Sequence, residues 1–203
     1  LSYVYKNTPS YSYECLINYA GATVSWLNSN LEIIKKPEET NAIFKKTKNS
    51  NGVIFIPAFV GLGAPHWVPE ARGAIFGLTR DSGKEELSLA THEAIGFQTK
   101  EIISSLLNDG VSVNELRIDG GLTNNIFFNQ LLSNITQLKV SSSKTTESTA
   151  LGAAYLAAIG SAEVSLNDII DNWFPKASYT PDKNYDIERY VTWKNYLEKL
   201  ISK

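Results

Sequence analysis

Asp119-Gly120-Gly121 closes an apolar run that reads as a strand over 116–119, and the spacing of apolar residues from Asn124 to Ile135 predicts a helix directly after it. Glycines at the carboxyl end of a strand let a ligand approach the backbone. The helix start behind them offers unpaired N–H groups that suit a phosphate or a polar ring. In open α/β sheets, ligands bind at that edge. Asn125, a turn further on, carries an amide able to hydrogen-bond a nucleobase or ribose. The same pattern also describes an ordinary strand–turn–helix connection, so nucleotide binding and plain architecture both fit it.

Two other segments are rich in small residues. Ala20-Gly21-Ala22 lies in or at the start of a helix expected over 18–31, with Ser25 one turn later on the same face. Small residues there either admit a packed neighbour or leave room for a ligand; packing is the commoner reason. Glu147 to Ala158 reads as a helix of Ala and Gly, which suits either a buried, tightly packed element or an interdomain hinge. The two histidines, His66 and His92, lack neighbouring ligands at metal spacing, so no metal site is expected from this chain. Cys15 reads as a small buried hydrophobe in a strand. Asn134-Ile135-Thr136 matches a glycosylation sequon by chance at a helix end. No carboxylate pair, no nucleophile with a base and no GxxxxGK[ST] loop is present, so bond-making chemistry is expected from residues outside this chain.

The elements that must position these residues follow from periodicity. Tyr3 and Tyr5, then Tyr11, Tyr13 and Cys15, read as a hairpin turning at 7–10. A helix is expected over 38–46 after Pro37, a buried strand over 53–56, and another strand over 73–78. Between those strands, Pro57, Gly61, Gly63, Pro65 and Pro69 predict an ordered, non-repetitive loop. A long amphipathic helix is expected over 84–108; Gly96 within it weakens the helix by about 1 kcal/mol, which implies a close neighbour. A strand over 138–140 follows, and Thr180-Pro181-Asp182 reads as the start of a last helix. Strands alternating with helices after an antiparallel start give an α/β fold with a mixed sheet, in one domain without repeats.

Composition bounds the class. With 203 residues, 43% hydrophobic and 20% charged, the chain is long enough for a sizeable core and too apolar for disorder. Its 19 Lys+Arg against 21 Asp+Glu, with basic runs such as Lys35-Lys36 no longer than a pair, argue against a nucleic-acid partner. The uncharged, apolar-rich stretch 52–65 is too short and too broken by Gly and Pro to span a membrane. A single Cys favours a reducing, cytoplasmic compartment. The chain opens at Leu1 and holds no Met, which reads as part of a longer protein.

Taken together, these segments resemble a known family. Gly52–Arg80, GVIFIPAFVGLGAPHWVPEARGAIFGLTR, closely resembles the C-terminal domain of the FGGY carbohydrate kinases, and the glycerol kinases in particular. Gly73, Ile75, Gly77, Leu78, Glu86-Leu87, Ala90-Thr91 and Glu93 follow the family's second signature; His92 stands where the pattern expects an apolar or aromatic residue. AGATVSWL (20–27), RIDGGLTNN (117–125), STALGAAYLAA (148–158) and Tyr190…Trp193 resemble further segments in the same order, so the resemblance covers the whole chain.

The resemblance implies an actin-like, ribonuclease-H-like α/β fold, with residues 1–203 as the C-terminal nucleotide-binding domain. It implies ATP, used with Mg²⁺, held in a cleft between two lobes, and glycerol as phosphoryl acceptor in a homodimer or homotetramer. Gly21, Gly120 and Gly121 then match nucleotide-binding positions, and Asn125 the asparagine near the adenine. Ser25 occupies a position that is often Gln, and its shorter side chain does not reach as far toward that contact. The Ala-rich helix matches the second interdomain connection. The family's Asp base, its phosphate turn and its glycerol-holding Arg, Glu and Tyr would precede Leu1. A pentose or polyol kinase of the same family and a non-catalytic nucleotide-binding module are the alternatives.

Overall fold

The computed structural model describes residues 2–36, 38–47 and 49–202. In chain order it has a hairpin of β1 (Tyr3–Tyr5) and β2 (Thr8–Ser10), helices α1 (Gly21–Ser29) and α2 (Glu39–Lys46), and an antiparallel pair β3 (Ile54–Ile56) and β4 (Ala74–Phe76). A long helix α3 (Lys84–Asn108) leads to β5 (Glu115–Ile118), a 3₁₀ turn (Gly121–Asn124), α4 (Ile126–Thr136) and β6 (Lys139–Ser142). Then come α5 (Ser148–Gly160), α6 (Leu166–Asp171), β7 (Ala177–Tyr179) and α7 (Glu188–Ile201). β5 and β6 are parallel, with Leu116 opposite Val140, and β7 runs antiparallel beside β6, with Val140 opposite Tyr179. The result is a three-stranded mixed sheet in the order β5-β6-β7.

Helix α3 is the axis of the fold and packs against α1, α2, α4, α7 and β3. It starts where the Glu86 carboxylate accepts a hydrogen bond from the Gly83 N–H at 3.0 Å, which satisfies one free donor of the first turn. That bond, with one from its own N–H, holds the Glu86 carboxyl below its ordinary pKa. Phe97 of α3 joins a cluster with Ile54, Ile56, Ile135, Trp193 and Leu197, while Ile95 joins another with Val24, Leu27, Ile34, Phe128 and Val140. Each such side chain removed from water contributes roughly 1.5–3 kcal/mol. Trp193 is 1% exposed, and its Nε1–H donates to the Phe55 carbonyl at 2.9 Å, so its one polar atom is satisfied. Gly96 meets α4 closely: a Cβ there would stand 2.6 Å from Ile135 Cδ1.

Four expectations change. The first hairpin turns at Lys6-Asn7, both at positive φ, so Thr8, Pro9 and Ser10 lie in a strand and Tyr11–Cys15 do not. Two positive φ values make the tight hairpin turn that matches strand twist, and Asn tolerates one of them cheaply. Cys15 is accordingly exposed. Thr180-Pro181-Asp182 does not start a helix: Asp182 Oδ1 accepts from Asn184 N–H at 2.9 Å in an Asx turn, and α7 begins at Glu188. The Ala-rich α5 has no buried residue, so it is not the tightly packed core helix its composition allows. Pro37, expected to open α2, lies outside the described residues.

Candidate functional site

A cavity of about 330 Å³ opens where α1, the entry to α2 and the β5–α4 connection meet. This lies near the lower end of the roughly 300–1,000 Å³ typical of small-ligand pockets. Its walls are Gly21, Val24 and Ser25 from α1, Glu38, Thr40 and Asn41 at the start of α2, and Gly121, Leu122, Asn124 and Asn125 after β5. Four of the five positions matched by sequence, Gly21, Ser25, Gly121 and Asn125, therefore share one cavity although a hundred residues separate the two groups. Gly120 is not in the lining. At φ +88° it shapes the turn, and its carbonyl accepts from the N–H and hydroxyl of Thr123 at 3.1 and 2.7 Å. Asp119 lines a separate recess with Arg117, Ser143, Ser148 and Trp173.

The two lining glycines create the open space. A Cβ built on Gly21 or on Gly121 would meet no protein atom within 4 Å. Neither position depends on a conformation reserved for glycine, so the missing side chains leave room rather than relieve backbone strain. Ser25 directs its hydroxyl to the Gly21 carbonyl at 3.3 Å, which keeps it against its own helix.

Asn125 is the N-cap of α4. Its Oδ1 accepts from the N–H groups of Phe127 and Phe128 at 3.1 and 3.0 Å, and its Nδ2 donates to Thr40 Oγ1 at 2.9 Å. Only 6% exposed, it is a structural part of the wall as well as a lining residue. Val24 and Leu122 supply apolar surface for a flat ring. Among the described residues, Glu38 is the one charged residue of the lining, which holds no Lys or Arg. This set suits the neutral nucleoside end of a ligand, with an acceptor for hydroxyl groups. A phosphate chain would have to leave the cavity away from Glu38.

Sequence reasoning missed Glu38, Thr40 and Asn41. Nothing in their spacing marks them, because packing of α2 against α3 and α4 brings this segment to the cavity. Among the described residues, no group of three or more His, Cys, Asp or Glu stands where it could hold a metal ion. Among the described residues, no helix is long and apolar enough to cross a membrane.

Comparison with known proteins bears on the family and the fold. The profile of the C-terminal domain of the FGGY family of carbohydrate kinases matches residues 1–161. The chain is 37% identical to a glycerol kinase of Coxiella burnetii over 205 residues, covering 100% of this chain and 41% of that protein. It is 43% identical to a glycerol kinase of Borrelia duttonii over 161 residues, 78% of this chain and 32% of that one. The chain thus spans about two fifths of the length of the first of these relatives. Among solved structures, a Plasmodium falciparum glycerol kinase with ADP superposes with a TM-score of 0.81 at 36% identity, covering 91% of this chain and 37% of that one. A Rhodospirillum rubrum xylulose kinase superposes with a TM-score of 0.75 at 20% identity over 89% and 38%, a likeness of fold alone. The fold is the actin-like α/β architecture of these kinases, and the chain belongs to the FGGY family of carbohydrate kinases.

Proposed function

We propose that residues 1–203 are the ATP-binding C-terminal domain of a glycerol kinase, and that the cavity between Gly21 and Gly121 seats the nucleoside of ATP. The carrying observation is that both glycines line one cavity and leave open space where a side chain would stand. A planar base can then lie against two stretches of bare backbone, with Val24 and Leu122 beside it. Ser25 and Asn125 complete the walls, and Gly120 holds the turn that carries Gly121. The ADP bound to the Plasmodium relative and the shared identity with glycerol kinases support this reading.

The whole enzyme would transfer the γ-phosphoryl group of ATP to a terminal hydroxyl of glycerol, giving sn-glycerol 3-phosphate. Mg²⁺ would arrive with the triphosphate and offset its charge. This chain would bind and orient the nucleoside so that the phosphates point out of the cavity toward a second lobe. The proton acceptor for glycerol, the phosphate turn and the glycerol-binding residues would belong to that lobe. The enzyme would work in the cytoplasm as a homo-oligomer.

Gly121→Arg tests the assignment. Its backbone tolerates a side chain, so the protein should fold while the guanidinium fills the cavity. In the natural protein carrying this sequence, the KM for ATP should rise about tenfold or more, as loss of more than 1.4 kcal/mol of binding requires. Unchanged ATP kinetics with intact circular dichroism would remove the assignment.

A further inference from the structure

We propose that Thr40 is a positioning residue for the nucleoside: its hydroxyl orients the Asn125 amide and so sets the shape of the cavity wall. The inference rests on the nucleoside reading of that cavity. Thr40 is 1% exposed and Asn125 6% exposed, and they lie 85 positions apart, one on the first turn of α2 and the other capping α4.

The geometry leaves Asn125 little choice. Two backbone N–H groups converge on its Oδ1 from the first turn of α4, which identifies that atom as the carbonyl oxygen. The NH₂ group is then the end that faces Thr40, where the hydroxyl oxygen accepts one N–H at 2.9 Å. An amide carries two N–H donors. With one spent on Thr40 and the carbonyl spent on the cap, the second N–H is the polar atom Asn125 has left for a ligand.

Thr40 does two things by this one bond. Together with the cap it fixes the direction of the amide nitrogen, and it ties the entry of α2, with Glu38 and Asn41, to the wall that carries Gly121. Losing the bond leaves the helix cap in place and loosens the pocket. Nucleotide affinity should therefore suffer while the chemical step does not.

The experiment compares Thr40→Val and Thr40→Ser in the natural protein carrying this sequence, by ADP calorimetry and by steady-state kinetics. Thr40→Val keeps the shape and removes the hydroxyl. The ADP Kd and the KM for ATP should rise about five- to tenfold as the wall loosens, a loss of about 1–1.4 kcal/mol of binding. The value of kcat and the KM for glycerol should stay within about twofold. Thr40→Ser restores the hydroxyl and should bind ADP within about twofold of wild type. Unchanged ADP affinity in a folded Thr40→Val protein overturns the proposal, as does an equal loss in Thr40→Ser.

Should Thr40→Val fail to fold, the wild-type side-chain amide protons of Asn125 decide by NMR. They should be distinct, protected from exchange, and shifted on ADP titration; rapid averaging or no shift on ADP binding overturns the proposal. If Gly121→Arg abolishes ADP binding while Thr40→Val leaves it intact, only the role of Thr40 falls. If ADP does not bind the wild-type protein, the nucleoside reading falls with it.

Discussion

Arg189 grips Glu93 in a two-pronged ion pair, Nε to Oε1 at 2.8 Å and Nη2 to Oε2 at 2.6 Å, joining α7 to α3 across 96 positions of sequence. The same guanidinium donates to the Val53 carbonyl at 3.0 Å and to the Ser50 hydroxyl. Glu93 is 4% exposed and Arg189 20% exposed, so each charge depends on the other for the solvation it has lost.

Removing one partner should therefore cost more than the pair contributes. Arg189→Leu leaves a buried carboxylate without its cation and should lower the unfolding free energy by about 3 kcal/mol. The double variant with Glu93→Leu should regain part of that loss. Urea unfolding of the two single variants and the double gives the cycle. Purely additive losses would show that the pair does not act as a unit.

His92 makes stability depend on pH. It is fully buried against Phe44 and Phe128, and its Nδ1 is 2.8 Å from the Ser88 carbonyl. Burial lowers its pKa from 6.5 to about 4, with the Ser88 carbonyl opposing. The unfolded chain thus takes up a proton that the folded chain refuses between those values. Stability should fall as pH drops from 6.5 to 4, by about 3 kcal/mol in total, and His92→Phe should flatten that interval. Urea midpoints measured across the interval check this; equal slopes in both proteins would contradict it.

Glu101 acts in a lower window. Burial pushes its carboxyl up, but His66 at 3.4 Å, the Tyr190 hydroxyl and Lys194 at 3.5 Å together hold it at about 2. Its contribution is present above 4.5 and is lost only as pH falls toward 2. The two effects therefore separate in one titration. Tyr190→Phe removes one donor and should weaken stability at neutral pH while leaving the 4–6.5 interval unaltered.

The contact of Gly96 with Ile135 sets helix preference against packing. Ala would gain about 1 kcal/mol in helix preference, but overpacking of a core costs about 1–3 kcal/mol. With a Cβ at 2.6 Å from Ile135 Cδ1, and Ile135 fully buried, Gly96→Ala should be destabilising overall. Ile135→Val removes the offending methyl, so the double variant should be more stable than the two single losses predict. Thermal unfolding measures this coupling.

Local rules were enough for the long helix. The apolar spacing over 84–108 and the Glu86 reach back to Gly83 specify α3 with the bounds observed. They were not enough for β7, whose three residues become a strand only by pairing with β6. Nor did they locate the first hairpin turn, because Asn, Pro and Ser suit several turn positions and strand pairing chooses among them.

By itself the amino-acid order determined the elements with strong periodicity, the strand–glycine–helix unit at 116–135, and the family to which these segments belong. Tertiary structure alone decided that Gly21 and Ser25 face Gly121 and Asn125, that Thr40 reaches Asn125, and that α5 keeps its smooth faces unburied. The reason is physical. Helix and turn preferences act over a few residues, whereas a cavity is made by groups far apart in the chain, which meet only when α3 has packed against the elements that carry them.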